Sequence, residues 1–222
     1  KALSENRKNL LEIEAKQLLA YHHAPVTIDK LVQSAEEAIE VAGEMEQPVV
    51  MKIASPDILH KSDVGGVCLD LRGKTEIRRS YKRIIKNARK YNPKANIKGV
   101  NISPMVKGGV EVIIGTKIDD QFGPVIMYGL GGVMVEILKD VSFRVLPISR
   151  HSATTMIEET KSYPILNGVR GTPPYDKKAI TRLLLLCSEI VESYPEIAEM
   201  DLNPVIVHET GLSVVDARII LK

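Results

Sequence analysis

The stretch that decides the fold is "PVVMKIASPDILHKSDVGGV", residues 48–67. It begins as a short apolar strand containing one lysine, Lys52, and it ends in a glycine pair that opens a second strand, "GGVCLDL". Two apolar runs separated by polar residues predict an antiparallel hairpin with an unusually long connection. This connection, Ala54 to Val64, carries His60 at its tip and is called the His60 loop below.

The rest of the chain mixes helices and strands without regular alternation. Apolar residues spaced three and four apart predict helices, with Ser4 as the N-cap of the first; they cover residues 4–22, 34–46, 74–92, 149–160 and 177–193. Apolar runs bounded by Gly or Pro predict strands between residues 96 and 148 and a closing hairpin over 199–221. This order favours an α+β fold with mainly antiparallel sheets and flanking helices in two lobes. We expect the lobes at about 1–104, with a mobile His60 loop, and at about 105–222.

The composition limits the kinds of partner and compartment. Hydrophobic residues make up 44% of the chain and charged residues 26%, which favours a globular protein. A net charge of +2 and the absence of tryptophan do not favour nucleic-acid binding, and no apolar run approaches the ~20 residues of a membrane span. Cys68 and Cys187 have neither metal-site nor disulfide spacing, which favours a reducing compartment. We therefore expect a cytoplasmic protein with neither a nucleic-acid nor a membrane partner.

Several common motifs of catalytic and nucleotide-binding proteins are absent from the sequence. It contains no P-loop, no G-x-G-x-x-G that opens a helix, no H-E-x-x-H and no G-x-S-x-G. The stretch "YGLGG" (128–132) is rich in glycine and precedes a β-like run. It fits either a tight turn or a backbone that approaches a phosphate group.

Two residues of the opening stretch are candidates for chemistry. Lys52 lies in an otherwise apolar strand, so its ammonium group either reaches solvent or meets an anion such as phosphate. His60 is flanked by Asp57, Lys61 and Asp63. It is either an ordinary surface histidine or a nucleophile, because neutral imidazole can attack a phosphorus centre.

A second group of candidates carries oxygen atoms on predicted strands. Asp201 and Asn203 are two residues apart, which places them on one face of a strand, and Asp216 lies on the returning strand. Two carboxylates and an amide oxygen suit Mg²⁺, whereas turn capping before Pro204 is the alternative. Glu111 follows a glycine pair and could accept hydrogen bonds from a ribose or simply face solvent.

Four stretches, taken in order, resemble the β subunits of ADP-forming acyl-CoA synthetases, which are ATP-grasp proteins. They are the opening stretch, "GVEVIIGTKIDDQFGPVIMYGLGGVMVEILKDVSFR" (109–144), "YPILNGVRG" (163–171), and "DLNPVIV" with "VVDARI" (201–219). The resemblance runs from about residue 8 to 220. It implies a single ATP-grasp domain over residues 1–222 that binds ATP or ADP.

The resemblance also implies roles for the nucleotide-binding residues. Lys52 would hold the nucleotide phosphates, and Glu111 would lie near the ribose. Pro104, Met105 and Val106 would form the hinge that receives adenine through backbone groups.

The same resemblance implies a metal site and a phosphate carrier. Asp201, Asn203 and Asp216 would bind Mg²⁺, and His60 would be phosphorylated during turnover. Two arginines, Arg144 and Arg170, belong to the shared stretches, but the resemblance gives them no assured role.

The family's reaction is acyl-CoA + ADP + phosphate ⇌ carboxylate + CoA + ATP, that of an acid–thiol ligase such as acetate–CoA ligase (ADP-forming). The CoA and acyl sites would belong to a partner α subunit in an α2β2 heterotetramer. Two alternatives stay open. One is a stand-alone ATP-grasp ligase that acts through an acyl phosphate, and the other is a non-catalytic ATP-grasp regulatory module; neither needs a histidine at position 60.

Overall fold

The computed structural model describes residues 2–45, 48–132, 139–169, 171 and 173–222. The chain forms two compact units. The N-terminal unit consists of residues 1–14 and 27–105, and the C-terminal unit of residues 15–26 and 106–222. Each unit contains its own antiparallel sheet, so the α+β fold with antiparallel sheets predicted from the sequence is confirmed.

The chain begins with a single 3₁₀ turn, Leu3–Glu5, followed by helix α1, Glu12–Tyr21. The prediction of one helix over residues 4–22 was therefore wrong at its start. Asn6 adopts a left-handed conformation with φ of 52°, which ends the first turn. Arg7 then binds the carboxylate of Glu14 through two hydrogen bonds of 3.0 and 2.8 Å, which hold the segment before α1 against its first turn.

The N-terminal unit is a four-stranded sheet with two helices. Its elements are β1 (Lys30–Val32), α2 (Ala35–Glu44), β2 (Val49–Ala54), β3 (Val67–Leu71), α3 (Gly73–Tyr91) and β4 (Gly99–Pro104). The strand order is β1-β4-β2-β3, and every pair is antiparallel. The β2–β3 pair is the hairpin predicted from the opening stretch, and its connection runs from residue 55 to 66.

The two faces of this sheet differ in chemistry. Met51 and Ile53 on β2 lie in an apolar core with buried residues of α3 such as Ile84. Because side chains alternate along a strand, Lys52 points to the opposite face. Asn101 on β4 is paired with Lys52 and therefore shares that face with it. The sheet thus separates an apolar core from a face that carries buried polar groups.

The C-terminal unit is a six-stranded antiparallel sheet backed by helices. Its elements are β5 (Val110–Asp119), β6 (Gly123–Leu130), β7 (Val141–Val145), α4 (Arg150–Glu158), α5 (Tyr163–Leu166), α6 (Lys177–Ser193), β8 (Ile197–Val207), β9 (Leu212–Val214) and β10 (Ala217–Leu221). Five strands follow the order β10-β8-β5-β6-β7, and β9 pairs with β8. Helices α4 and α6 pack against each other and against these strands.

The end of the chain differs from the simple hairpin predicted over residues 199–221. Both β9 and β10 pair with β8, so β8 has two successive partners on one side. Asp216 consequently lies in the connection between β9 and β10 rather than within a strand. Among the residues described above, no helix is both long and apolar enough to cross a bilayer.

Candidate functional site

The predicted phosphate lysine lies in a buried ionic cluster of the N-terminal unit. The Nζ atom of Lys52 is 2.6 Å from Glu12 Oε1, and the Nζ atom of Lys61 is 3.1 Å from Glu12 Oε2. The side chains of Lys52 and Glu12 are only 6% and 3% exposed, so Lys52 does not extend into solvent. These three side chains, called the Glu12 cluster below, bring two ammonium groups to one carboxylate, and an ammonium group is a suitable contact for phosphate.

Asn101 adds an unsatisfied polar group next to the Glu12 cluster. It is 2% exposed, and neither its Oδ1 nor its Nδ2 atom has a hydrogen-bond partner within the described part of the chain. A buried amide without a partner destabilises a protein by about 1–3 kcal/mol. Because Asn101 and Lys52 are cross-strand neighbours, the amide and the ammonium group are well placed to bind one anionic ligand together.

The sequence had not singled out Glu12 or Asn101. One signal for Glu12 was available, because a lysine in a buried strand needs a counter-charge and Glu12 lies on the helix that follows the chain start. Nothing in the sequence identified which carboxylate supplies it. For Asn101, the only indication in the sequence was a polar residue within an apolar strand, which does not predict a role in ligand binding.

The His60 loop is anchored at its base and exposed at its tip. Ile58 is 3% exposed in the core of the N-terminal unit, and the backbone N–H of Asn96 donates a hydrogen bond of 2.7 Å to Asp57 Oδ2. The loop closes at Gly66, whose N–H donates to the Lys61 carbonyl at 2.8 Å. A Cβ atom at Gly66 would lie 2.9 Å from that carbonyl oxygen, so the closure favours glycine. His60 itself is exposed.

The predicted hinge residues, Pro104, Met105 and Val106, lie where the chain passes from one unit to the other. Met105 is the last residue of the N-terminal unit, and Val106 is the first of the following segment of the C-terminal unit. All three are partly buried. The N–H of Met105 donates to the carbonyl of Pro48 at 2.8 Å, so this donor is already used within the N-terminal unit.

The predicted metal ligands lie in the C-terminal unit. Asp201 and Asn203 alternate with the buried Leu202 on β8 and therefore share one face of the sheet. Asp201 Oδ2 is 3.7 Å from Nη2 of Arg218 on β10. Because Ala217 is paired with Leu202, Asp216 lies at the end of β10 that adjoins Asn203. Within the described ranges no three His, Cys, Asp or Glu side chains could hold a metal together, so a metal here would also need the amide oxygen and ligand oxygens.

A groove of about 400 Å³ runs over the same face of the sheet. Its charged part is lined by two bases and two acids, Lys117, Arg218, Glu199 and Asp201, whereas Met127 and Phe143 line its apolar part.

Glu111 lies exposed at the start of β5, beside the glycine-rich stretch. The N–H of Gly131 donates to the carbonyl of Glu111 at 2.7 Å. A Cβ atom at Gly131 would lie 2.9 Å from Cβ of Glu111, so the close approach of the two segments requires glycine. The glycine-rich stretch therefore has a packing role beside Glu111. Residues 133–138, which follow it, lie outside the described residues.

The guanidinium group of Arg144 forms a bidentate ion pair with the carboxylate of Glu159. Its Nη1 and Nη2 atoms are each 2.7 Å from one carboxylate oxygen. The hydrogen bonds of this pair raise the pKa of Arg144 and lower the pKa of Glu159. The pair connects β7 to the end of α4, which gives Arg144 a structural role. Arg170 lies outside the described residues.

Comparison with known proteins agrees with this architecture over the whole chain. Residues 1–221 match the ATP-grasp domain family. The β subunit of the ADP-forming acetate–CoA ligase II of Pyrococcus furiosus is 50% identical to this chain, over 99% of the chain and 94% of the relative. The ADP-forming 4-hydroxybutyrate–CoA ligase of Nitrosopumilus maritimus is 46% identical over 97% of this chain, which spans 31% of that longer protein.

Solved structures give the same result. The dinucleotide-forming acetyl-coenzyme A synthetase 1 of Candidatus Korarchaeum cryptofilum, in complex with coenzyme A and Ca-AMPCP, has a TM-score of 0.95 at 49% identity, over 100% of this chain and 96% of that chain. A second structure of that enzyme, with coenzyme A and Mg-AMPPCP, has a TM-score of 0.85 at 47% identity over the same shares of the two chains. Its phosphohistidine segment points towards the nucleotide-binding site.

These matches confirm the ATP-grasp fold and do not favour either a stand-alone ligase or a regulatory module. The chain covers nearly the full length of the β subunits that it resembles. It therefore belongs to the ATP-grasp family, among the β subunits of ADP-forming acetate–CoA ligases.

Proposed function

We propose that this chain is the nucleotide-binding subunit of an ADP-forming acyl-CoA ligase and that it transfers a phosphoryl group between His60 and ADP. The observation that carries this proposal is the Glu12 cluster. It places the buried ammonium group of Lys52 within one ionic network with Lys61, the residue next to His60. A cationic site can hold nucleotide phosphates, and a histidine next to one of its lysines in the chain can supply a nucleophile for them.

The chemical step is a direct displacement at phosphorus. In the direction of ATP use, the unprotonated ring nitrogen of His60 attacks the γ-phosphorus and forms a P–N bond. The bond from phosphorus to the bridging oxygen breaks, and its electron pair stays on ADP. The proton on the other ring nitrogen is then free to leave to water. Lys52 and Lys61 would stabilise the charge that the phosphoryl group carries between its two partners.

Magnesium would bind on the face of β8. Asp201, Asn203 and Asp216 offer two carboxylates and an amide oxygen, the hard donors that Mg²⁺ prefers, and Mg²⁺ usually completes its shell with waters and phosphate oxygens. Bound there, the ion would neutralise part of the charge of the nucleotide phosphates.

A partner α subunit would carry the CoA and acyl sites. Relatives that act on different acids, acetate and 4-hydroxybutyrate, share this domain, so the choice of acid lies outside it. Large apolar side chains at the β5–β6 turn, Phe122 and Ile118, are 64% and 40% exposed and are suited to a protein interface. We expect an α2β2 assembly in the cytoplasm, where the buried and unpaired thiols of Cys68 and Cys187 would stay reduced.

Transfer to the partner requires the tip of the His60 loop to move. Ile58 and Gly66 are anchored, so residues 59–65 could move only after the hydrogen bonds to the Lys61 and Gly65 carbonyls break. Half of such a segment spans about 12 Å when it is extended, which sets the reach of His60 while both anchors hold.

Labelling of His60 tests the proposal. The chain and its partner subunit are mixed with γ-labelled ATP, and acid-labile, base-stable phosphate on this chain is measured. The variant His60→Asn should lose both the label and overall turnover, because the asparagine amide is not a nucleophile for phosphorus, but it should still bind ADP. His151→Asn, which changes another exposed histidine, should behave like the unchanged protein. Full turnover by His60→Asn would refute the proposed role.

A further inference from the structure

The position of Glu12 is fixed by contacts on both sides of it. It is the first residue of α1 and is 7% exposed. The neighbouring Glu14 accepts hydrogen bonds from Arg7 and from the backbone N–H of Leu11, the latter at 2.9 Å. The side chain of Asn9 donates to the carbonyl of Pro56 at the base of the His60 loop, at 3.4 Å. These contacts hold the carboxylate of Glu12 at a set place relative to that loop.

The carboxylate of Glu12 uses its two oxygen atoms for two different lysines. Oε1 binds Lys52 on β2, and Oε2 binds Lys61 in the His60 loop. Two ammonium groups held this close repel each other, and the charge of Glu12 offsets that repulsion. An uncharged side chain of the same size could not hold both lysines, because an amide has only one acceptor oxygen.

We infer that Glu12 is a positioning residue for phosphoryl transfer, which holds Lys61 and thereby the tip of the His60 loop beside the phosphate site at Lys52. This inference rests on the function proposed above. Glu12 acts through the two lysines and does not contact the phosphoryl group, because the carboxylate and the phosphate repel each other. Its effect is therefore on the geometry of the step between His60 and the nucleotide.

This role has opposite consequences for binding and for transfer. Glu12 competes with nucleotide phosphates for Lys52, so loss of its charge should leave nucleotide binding unchanged or make it tighter. Transfer should slow at the same time, because Lys61 loses its contact with the Glu12 carboxylate and a displacement of about 1 Å can reduce a rate about 100-fold. A residue that only stabilised the fold would weaken both functions together.

The experiment uses this chain reconstituted with its partner subunit. Glu12→Gln is compared with Glu44→Gln, which removes a carboxylate from the exposed ion pair with Lys30 in the same unit. We expect the rate of His60 labelling from γ-labelled ATP to fall about 100-fold in Glu12→Gln, with the Kd for ADP measured by calorimetry equal to that of the unchanged protein or lower. Glu44→Gln should keep its labelling rate and its Kd for ADP within about twofold.

A shorter carboxylate provides the second variant if Glu12→Gln does not fold. Glu12→Asp keeps the charge, but it lacks one methylene group and cannot reach both lysines. It should label His60 about tenfold more slowly, again with unchanged ADP binding.

Several results would overturn the inference. They are unchanged labelling in the Glu12 variant that folds, an equal loss in Glu44→Gln, or a loss of ADP affinity that matches the loss of labelling. If the unchanged protein is not labelled, or if label persists in His60→Asn, the proposed function fails as well. If labelling depends on His60 and is insensitive to Glu12, only the positioning role fails.

Discussion

Asn101→Leu should make the ligand-free protein more stable and its nucleotide binding weaker. The two amide atoms of Asn101 are buried and have no partner within the described residues, on the sheet face that also carries Lys52. Leucine has a similar size and no polar atoms, so the substitution removes two unsatisfied groups without opening a cavity. Ordinary buried substitutions destabilise a protein, so a gain in stability is a specific expectation.

The size of both effects follows from the environment of Asn101. Removal of its unsatisfied amide should raise the free energy of unfolding by about 2 kcal/mol. For a chain of this length that corresponds to a rise in Tm of about 6 °C. If the amide binds a nucleotide phosphate beside Lys52, its loss should cost about 1.5–3 kcal/mol of binding, which raises the Kd for ADP about 10- to 100-fold.

Calorimetry measures both quantities on the same samples. Thermal unfolding without nucleotide gives the change in stability, and titration with ADP gives the change in Kd. Ser142→Ala is the matched control, because Ser142 in the C-terminal unit is also buried and its Oγ atom also lacks a partner within the described residues. It should raise stability without changing the Kd. If Asn101→Leu loses stability and binds ADP normally, the amide has no ligand role and the reasoning is wrong.

Two further predictions concern the C-terminal unit. The double variant Asp201→Ala with Asp216→Ala should lose the Mg²⁺-dependent part of its ATP affinity. Its free energy of unfolding should stay within about 1 kcal/mol of that of the unchanged protein, because both side chains lie outside the apolar core. If titration calorimetry shows the same Mg²⁺ dependence in both proteins, the proposed metal site is wrong. Asp140→Asn should destabilise the chain by about 1–2 kcal/mol at pH 7, because Asp140 accepts hydrogen bonds of 2.8 and 2.7 Å from the N–H groups of Lys161 and Ser162. Burial alone would raise the pKa of Asp140, but its proximity to the Ser162 side chain and these backbone hydrogen bonds lower it. Its contribution is therefore fully present above the unfolded-state pKa of about 3.9 and is lost as the pH falls through the lower folded-state value. Denaturation by urea at pH 7 and pH 3 measures the free energy of unfolding of Asp140→Asn and of the unchanged protein. If the difference between these two free energies does not shrink at pH 3, the charge of the carboxylate is not involved.

Local patterns in the sequence were sufficient for most of the secondary structure. The hairpin around the His60 loop, helix α3 and helix α6 follow from apolar spacing and from the residues that bound each run. Such patterns predict which side chains of a helix or strand share its apolar face. They can be recognised from residues close together in the chain. The start predicted for the first helix was wrong, because the left-handed Asn6 and the Arg7–Glu14 contacts override the spacing of apolar residues.

The sequence by itself also determined the family, through the order of its motifs, and named Lys52 and His60 as candidates. Only the tertiary structure decided that Glu12, forty residues before Lys52, neutralises it and also holds Lys61. The same is true of the unsatisfied amide of Asn101 beside Lys52. Spacing along a chain shows that a buried charge needs a partner, but many carboxylates could supply it. Which one does so depends on how distant segments pack, because electrostatic and hydrogen-bond partners are chosen by distance in space.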